Sequence, residues 1–385
     1  MQIAVIGSGI SGLACAHYLS AGHTVTVFEA GKRLGGHTAT VDVRLGTRRF
    51  CVDTGFIVYN DWTYPNFIAL MRELGVSSKP TSMGFSVRDE ESGLEYAGGD
   101  LDALFAQRRN LLSPRFLRMV RDILRFNKES VADLEGGHLG DDETLGSYLT
   151  RKGYSDGFRR DYLVAMGSAI WSADCASTLD FPVQFFVRFF RNHGLLSIRN
   201  RPQWHVIEGG SREYIAPLCR RFEERIHVGT PVSRVRRDPA GVTLVLGDGS
   251  ERRFDQVVIA THSDQALAML DAPSEAEREI LGALPYQSND VVLHTDTRLL
   301  PHNRKTWSSW NYRLGVDDSR AVLTYNMNIL QGLQAPETFC VTLNDTQSIN
   351  PLKILGRFRY DHPVFSLTGM AAQNRWDEIN GSLTT

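Results

Sequence analysis

Residues 1–29 contain the pattern that most constrains the fold of this chain. Gln2 to Ile6 is an apolar run that suits a buried strand, and Thr24 to Phe28 is a second, β-branched run. A segment with helical spacing lies between them. It begins in Gly7-Ser8-Gly9-Ile10-Ser11-Gly12, and Glu29 follows the second run. This order predicts a βαβ unit with a G-x-G-x-x-G turn between its first strand and its helix.

The residue types of this turn suit a dinucleotide. Gly7 permits the tight turn, Gly9 lets a pyrophosphate approach the backbone, and Gly12 lets helix and strand pack closely. The helix N-terminus offers free N–H groups and a favourable dipole to phosphate. Glu29 can accept hydrogen bonds from ribose hydroxyls. The alternative is a turn that needs glycine for steric reasons alone. We predict that the cofactor is bound by Gly7, Ser8, Gly9, Ser11, Gly12 and Glu29.

The continuation of the chain resembles the flavin-containing amine oxidase superfamily, whose members run from the ribose-binding acid into an R-x-G-G segment along the FAD pyrophosphate. Arg33, Gly35 and Gly36 match that segment. The resemblance implies FAD, with Arg33 against phosphate oxygens and both glycines admitting the ribityl chain and flavin. His37 follows as a candidate contact. The implied fold is α/β, a Rossmann-like FAD-binding domain with an inserted α+β substrate domain.

Two later segments also match the superfamily. A D-x-G segment would pass the flavin ring with its backbone amides, although a hairpin corner is the plainer interpretation. A valine further along the chain would hold the adenine through its own amide and carbonyl. The further candidate contacts implied by the resemblance are Asp53, Thr54, Gly55, Ile57 and Val232.

The V-Y-N-x-x-x-Y-P-N run from Val58 to Asn66 looks like one bacterial branch of NAD/FAD-binding, amine-oxidase-like proteins. That branch is commonly associated with enzymes that modify unsaturated or cyclopropane fatty acyl chains. The resemblance therefore implies a hydrophobic, fatty acyl substrate.

Length and composition bound the remaining choices. A chain of 385 residues suggests two domains. The resemblance divides it into an FAD-binding domain (1–75, 205–265 and about 365–385) and a substrate domain (76–204 and 266–364).

A net charge of -2 gives no basic field for nucleic acid. Five scattered cysteines suggest neither a disulfide framework nor a zinc site, so we expect a reducing cytoplasm. A strand at residue 2 and the lack of long apolar runs argue against a signal peptide and a membrane span.

An amphipathic helix is predicted after Ser113, with Ser113 as its cap, Pro114 at its first position and several arginines on its polar face. It can pack inward as part of a substrate domain. Alternatively, it forms an interfacial surface that takes substrate from a membrane, which would place the protein at the inner membrane face.

Two departures from the superfamily bear on function. Amine oxidases proper usually carry a lysine that holds a water against flavin N5, and this chain offers Ser288-Asn289-Asp290 at that place. The difference argues against amine oxidation. Superfamily chains also end in a glycine-rich strand and helix that close over the cofactor, whereas this sequence stops at Thr385. We expect FAD retention to depend on such a segment.

The favoured hypothesis is an FAD-dependent oxidoreductase that moves hydride from a fatty acyl substrate to flavin N5. An amine or polyamine oxidase with an acidic pocket and a flavin-binding accessory protein without turnover are the alternatives. No acid/base pair stands out, but His37 and Tyr59 are polar candidates near the ring, and Trp171 is a candidate pocket wall. The sequence contains neither H-x-x-x-H nor G-x-S-x-G, so a metal site and a nucleophile triad lack support.

Overall fold

The structure, a computed structural model, describes residues 1–172, 174–316 and 320–381. Its strands are β1 (Gln2–Ile6), β2 (Thr24–Phe28), β3 (Thr40–Leu45), β4 (Arg48–Asp53), β5 (Tyr59–Asn60), β6 (Ser78–Thr81), β7 (Phe85–Asp89), β8 (Glu95–Ala97), β9 (Trp204–Ile207), β10 (Ile226–His227), β11 (Val232–Asp238), β12 (Gly241–Leu246), β13 (Glu251–Phe254), β14 (Gln256–Ile259), β15 (Tyr286–His294), β16 (Trp310–Leu314), β17 (Leu323–Asn326), β18 (Cys340–Leu343) and β19 (Ile354–Pro363). Its α-helices are α1 (Ile10–Leu19), α2 (Pro65–Leu74), α3 (Leu101–Leu104), α4 (Pro114–Glu135), α5 (Leu145–Arg151), α6 (Asp156–Phe158), α7 (Ala165–Trp171), α8 (Cys175–Leu179), α9 (Val183–Asn192), α10 (Ile215–Cys219), α11 (Ser263–Met269), α12 (Glu275–Gly282), α13 (Met327–Leu330) and α14 (Leu367–Gln373).

A parallel sheet with the order β10-β2-β1-β14 contains the predicted βαβ unit. Successive side chains of β1 enter different cores, because strand residues alternate between the two faces of a sheet. Val5 packs with Leu13 of α1 and Leu218 of α10, whereas Ala4 and Ile6 pack with the antiparallel sheet β11-β12-β13. Both faces are covered, as expected for a parallel sheet. The predicted α/β class and Rossmann-like arrangement are confirmed.

A mixed sheet with the order β19-β15-β18-β17-β16-β7-β8 joins two distant parts of the chain. Strands β16 and β7 pair in parallel, and its other neighbours pair antiparallel. Side chains from α4 to α9 form a large aromatic core against this sheet. Two smaller sheets, the β3-β4 hairpin and β5-β9-β6, complete the described strands. The proposed domain boundaries stay a prediction.

Most predicted elements are present, with local differences. The stretch from Thr81 to Val87 is divided between two strands, because β6 ends at Thr81, β7 begins at Phe85 and the two lie in different sheets. The segment that precedes β10 begins with a 3₁₀ turn, which is followed by the short helix α10. Pro217 disfavours a longer helix here, because a proline has no N–H to donate to the carbonyl four residues earlier. Helix α4 is confirmed, and its cap Ser113 accepts a hydrogen bond from the Phe116 N–H.

Candidate cofactor site

The glycine turn after β1 has the shape that its sequence predicts. Gly7 has a φ of +100°, and a Cβ there would lie 2.5 Å from the carbonyl oxygen of Ala260. A Cβ on Gly12 would lie 2.0 Å from the carbonyl oxygen of Gly7, so neither position has room for a side chain. Gly9 is different, since a Cβ there would meet no atom within 4 Å. The open face of Gly9 is therefore a cradle that a ligand can approach.

Helix α1 presents unused N–H groups to this open face. Its first intrahelical bond runs from the Leu13 N–H to the Gly9 oxygen at 3.0 Å, so the amides of Ile10, Ser11 and Gly12 have no acceptor within the helix. Ser11 is exposed in the first turn. Gly9 caps the helix without a side-chain hydrogen bond. The N-terminus is therefore suited to an anionic group such as a phosphate.

Glu29 at the end of β2 is bonded to the glycine turn. Its carboxylate accepts the backbone N–H of Ser8 at 2.9 Å, the Ser8 hydroxyl, and the N–H of Gly31 at 2.6 Å. Each carboxylate oxygen has further acceptor capacity for a sugar hydroxyl. Thr230 donates its N–H to the Glu29 carbonyl at 2.9 Å, which brings the start of β11 to the same edge. Val232 begins β11, and its side chain packs in the core beside that edge.

The second glycine pair folds over the first. Gly35 has a φ of +106° and donates its N–H to the Ser8 carbonyl at 3.0 Å. A Cβ on Gly36 would lie 3.3 Å from the Cα of Gly9. The two predicted cofactor segments therefore border one space.

The guanidinium of Arg33 is hydrogen-bonded to the backbone of its own segment. It donates to the carbonyl oxygens of Gly36 at 2.7 Å, Thr38 at 2.8 Å and Leu34 at 3.2 Å. These bonds occupy both terminal nitrogens and hold the glycine turn in shape. A phosphate contact by Arg33 stays a prediction.

The D-x-G segment lies directly against His37. A Cβ on Gly55 would lie 2.1 Å from the His37 carbonyl oxygen, which also accepts the Phe56 N–H at 2.7 Å. Thr54 is buried, and its hydroxyl lies 3.1 Å from the Tyr360 hydroxyl. Ile57 is 8% exposed, with its side chain in a hydrophobic core, so a cofactor contact there would involve its backbone.

The carboxylate of Asp53 is held by hydrogen bonds within the protein, and a contact of this segment's backbone with the flavin stays a prediction. The buried carboxylate accepts the Thr40 hydroxyl at 2.5 Å, the Ser211 N–H at 2.9 Å and the Gln331 side-chain amide at 2.8 Å. Burial raises its pKa to about 6, and the hydrogen bonds from Thr40 and Ser211 oppose that shift. Asp53 therefore ties β4 to two distant segments of the chain.

The structure brings together three histidines from distant parts of the chain, a group that no local sequence pattern predicts. The ring of His37 lies 5.6 Å from that of His362 and 6.1 Å from that of His262, and Tyr360 lies 5.0 Å away. His262 stacks on Tyr286 at 4.4 Å. His262 follows β14, and the carboxyl ends of parallel strands are where ligands bind in such sheets. The position of His262 directly after β14 is therefore the sequence signal that marks it as a candidate site residue.

Two of these imidazoles are neutral near pH 7. Enclosure by protein, together with the neighbouring His362 and His262, lowers the pKa of His37 to about 4. Enclosure also lowers the pKa of His362. His37 is nevertheless exposed to solvent, as a residue lining an open cleft would be. No group of His, Cys, Asp and Glu within the described residues is arranged to hold a metal ion.

The segment that replaces the expected lysine lies beside this group. Asn289 on β15 is buried and accepts the Asn344 side-chain amide at 2.8 Å, while its own nitrogen lies 3.4 Å from Nδ1 of His362. Ser288 is bound by the guanidinium of Arg359. A neutral amide thus stands near the histidines.

Tyr59 and Trp171 lie farther into the protein. Tyr59 is buried, donates its hydroxyl to Ser78 at 2.8 Å and stacks on His205, which indicates a packing role. Trp171 is partly buried among phenylalanines, with ring centroids 4.8 to 6.4 Å away. We call these residues the aromatic group: Trp171, Phe181, Phe185, Phe186, Phe189, Phe190 and Phe365.

Trp310 contributes a polar atom without a partner. Its indole Nε1 is buried and makes no hydrogen bond in the structure. The ring packs edge-on against Tyr325 at 5.2 Å, and both side chains touch the two cores that flank the mixed sheet. A buried donor without an acceptor is a place where a ligand can add a hydrogen bond.

The profile of the flavin-containing amine oxidoreductases matches residues 10–327. The chain belongs to this family. Members of the family are oxidoreductase enzymes with FAD as cofactor, and the open face of Gly9, the free amides of α1 and the carboxylate of Glu29 fit that cofactor.

Curated relatives and solved structures extend the comparison of this family member. AofH of Mycobacterium tuberculosis, named as a flavin-containing monoamine oxidase, is 25% identical over 297 residues, or 73% of this chain and 61% of that protein. The chain thus spans about three fifths of that relative. Cyclohexylamine oxidase from Brevibacterium oxydans is similar with a TM-score of 0.66 at 18% identity, covering 96% of this chain and 90% of that one. A fatty acid isomerase from P. acnes that produces CLA has a TM-score of 0.68 at 16% identity, covering 100% and 92%.

The described helices include none with the length and apolar character required to cross a bilayer.

Proposed function

We propose that this chain is an FAD-dependent oxidoreductase that acts on an apolar, fatty acyl substrate. The observation that carries the proposal is the position of the aromatic group. Phe365, a member of that group, is three residues beyond His362, so their Cα atoms are at most about 11 Å apart. Phe365 is only partly buried, so an apolar side chain of this group lies close to the histidines beside the cofactor space.

The residues near this space have separate tasks in the proposal. The amides of α1 and the carboxylate of Glu29 bind the diphosphate and ribose of FAD, which when bound supplies hydride acceptance. The aromatic group orients an acyl chain and excludes water from it. The unpartnered Trp310 N–H offers a hydrogen bond to a polar substrate atom.

Amine oxidation is the less favoured reaction for two reasons. The place of the expected lysine holds the neutral amide of Asn289, and the rings that surround Trp171 are all apolar. An acidic side chain would best replace the hydration of a cationic amine, and the aromatic group contains none. A fatty acid isomerase shares this fold, which agrees with an acyl substrate without establishing one.

The test uses the FAD-loaded chain under anaerobic conditions and follows loss of the visible flavin band. Phospholipids with unsaturated or cyclopropane acyl chains are expected to bleach the band, whereas saturated chains, putrescine and cyclohexylamine are not. Bleaching by the amines alone would refute the acyl proposal. Retained FAD that no compound reduces would indicate the accessory role.

A pair of variants tests the aromatic group in the same assay. Phe365→Ala should slow acyl-dependent bleaching without loss of bound FAD, because the ring contacts of Phe365 lie within the aromatic group. Trp376→Ala serves as the control, since Trp376 is 60% exposed. Equal rates for both variants would contradict the assigned surface.

A further inference from the structure

A cavity of about 240 Å³ opens at the N-terminus of α4, away from the cofactor site. Its apolar wall includes Leu94, Phe116 and Met119, and its polar wall includes Arg109 and Asn110. This combination of one apolar side and one cationic side suits an amphipathic anion. The volume is too small for a drug-sized molecule and fits a small head group.

Asn110 adds a buried polar side chain to the lining of the cavity. The residue is only 5% exposed and lines the cavity, yet its side-chain Nδ2 has no hydrogen-bond partner among the described residues. Buried amide groups are normally paired, because an unpaired donor loses its hydration without compensation. An acceptor oxygen within the cavity would remove that deficit.

The charges around the cavity favour an anion. Arg109 donates to the Gly93 carbonyl at 2.8 Å and to the uncharged side chain of Gln107 at 3.5 Å, and it has no ion pair with a carboxylate of the described residues. The one acidic residue of the lining, Asp161, is paired with Arg115 at 2.7 Å and Arg160 at 3.3 Å. The N-terminus of the 22-residue helix α4 adds its positive dipole end.

Exposed leucines surround the same helix start. Leu112 is 87% exposed, Leu111 is 48% exposed and Leu117 is 43% exposed. Leu112 precedes the cap Ser113 and Leu117 is the fourth helical residue, which are the positions that pack on each other in a hydrophobic staple. The high exposure of Leu112 shows that this contact covers little of it, so its apolar surface is available to another partner.

Two further arginines extend the cationic surface along α4. Arg118 and Arg121 are exposed, and neither has an ion pair or hydrogen bond with another described residue. Apolar side chains beside unpaired arginines are typical of surfaces that bind anionic lipids.

We propose that the cavity binds the phosphate of an anionic phospholipid while Leu111, Leu112 and Leu117 enter the surface of the bilayer. Asn110 and Arg109 would contact the phosphate oxygens, and Arg118 and Arg121 would lie against neighbouring head groups. The role of this membrane binding rests on the proposed function, because a bilayer would supply the acyl substrate.

The test measures co-sedimentation of the whole chain with phosphatidylcholine vesicles, with and without phosphatidylglycerol. The wild-type chain should bind only the anionic vesicles, and added salt should weaken that binding. Arg109→Gln should lower the partition about fivefold, the usual effect of one cation at an anionic surface. Arg44→Gln is the matched control, because Arg44 is an exposed arginine on β3.

The apolar contact has its own pair of variants. Leu112→Asp should abolish binding, whereas Leu352→Asp, at a leucine that is 93% exposed, should leave it unchanged. Both substitutions are at solvent-exposed positions, so folding is preserved. Equal binding of these two variants, or equal binding to neutral vesicles, would overturn the proposal.

Asn110→Asp tests the cavity itself, because it places a negative charge where the phosphate would bind. It should remove the preference for phosphatidylglycerol. Thermal shifts with inorganic phosphate and glycerol 3-phosphate form a second arm. Stabilisation by these compounds without vesicle binding would reassign the cavity to a free phosphate and overturn the membrane proposal. No flavin chemistry enters either assay, so vesicle binding without oxidation refutes only the proposed function, and oxidation without vesicle binding refutes only this inference.

Discussion

The backbone N–H of Ser8 donates to the carboxylate of Glu29 at 2.9 Å, which joins the turn after the first strand to the acid after the second. The Ser8 hydroxyl donates to the same oxygen, and Gly31 donates to the other. The acid is therefore held in position before any ligand is bound. Such preorganisation lowers the entropy lost when a ribose hydroxyl binds.

Glu29→Ala should weaken FAD binding by about 10- to 100-fold, the range expected when hydrogen bonds to a charged group are lost. Fluorescence titration of the flavin-free chain with FAD measures the dissociation constant. Glu337→Ala, at an exposed glutamate, provides the control. Unchanged affinity in Glu29→Ala would show that the ribose is held elsewhere.

Two glycines of the turn should respond differently to the same substitution. Gly12→Ala places a Cβ 2.0 Å from a backbone oxygen and should cost about 1–3 kcal/mol of stability or more. Gly9→Ala meets no atom within 4 Å and should cost about 1 kcal/mol at most, as a changed helix cap. Gly9→Ala should nevertheless weaken FAD binding, because its methyl group fills the cradle.

Thermal unfolding of the flavin-free chain, together with FAD titration, separates the two effects. If Gly9→Ala retained wild-type affinity for FAD, the pyrophosphate would not lie on this turn.

His294 should make stability depend on pH. It is fully buried, its Nδ1 accepts the Asp296 N–H at 3.0 Å, and burial lowers its pKa to about 4. The unfolded chain binds the proton more readily than the folded chain. The stability gained from neutral His294 is therefore fully present above the ordinary histidine pKa near 6.5. This stability is lost as the pH falls through about 4, and the free energy of unfolding decreases by up to about 3 kcal/mol in all.

Urea unfolding at several pH values between these limits measures the effect. His294→Gln should remove that slope, whereas His138→Gln, at an exposed histidine, should keep it. A wild-type chain whose stability did not change over this range would contradict a neutral buried His294.

Trp310→Phe should weaken substrate binding without breaking a hydrogen bond of the protein. The Trp310 Nε1 has no partner, whereas the Nε1 of Trp307 donates to the Pro301 carbonyl at 2.8 Å. Trp307→Phe should therefore cost about 1 kcal/mol of stability from its lost bond and leave substrate affinity unchanged. The dependence of flavin reduction on lipid concentration, with chemical unfolding, distinguishes the two variants. Equal substrate affinities would show that Trp310 faces no ligand.

The local part of the site could be predicted from the sequence. The strands β1 and β2 follow from short apolar runs, the turn follows from glycines that have no room for a side chain, and the start of α4 follows from Ser113 and Pro114. These signals depend on neighbouring residues, so they survive without knowledge of the rest of the chain. The assignment of each predicted contact to FAD stays a prediction.

Tertiary structure alone decided which distant residues meet. His262 and His362 reach His37 only because β14 and β19 bring their ends to the glycine pair. The sequence by itself determined the βαβ unit, since steric limits and periodicity act over a few residues. Only the folded chain decided that the Asp53 carboxylate accepts hydrogen bonds from Ser211 and Gln331, because contacts between remote segments depend on packing that no local pattern records.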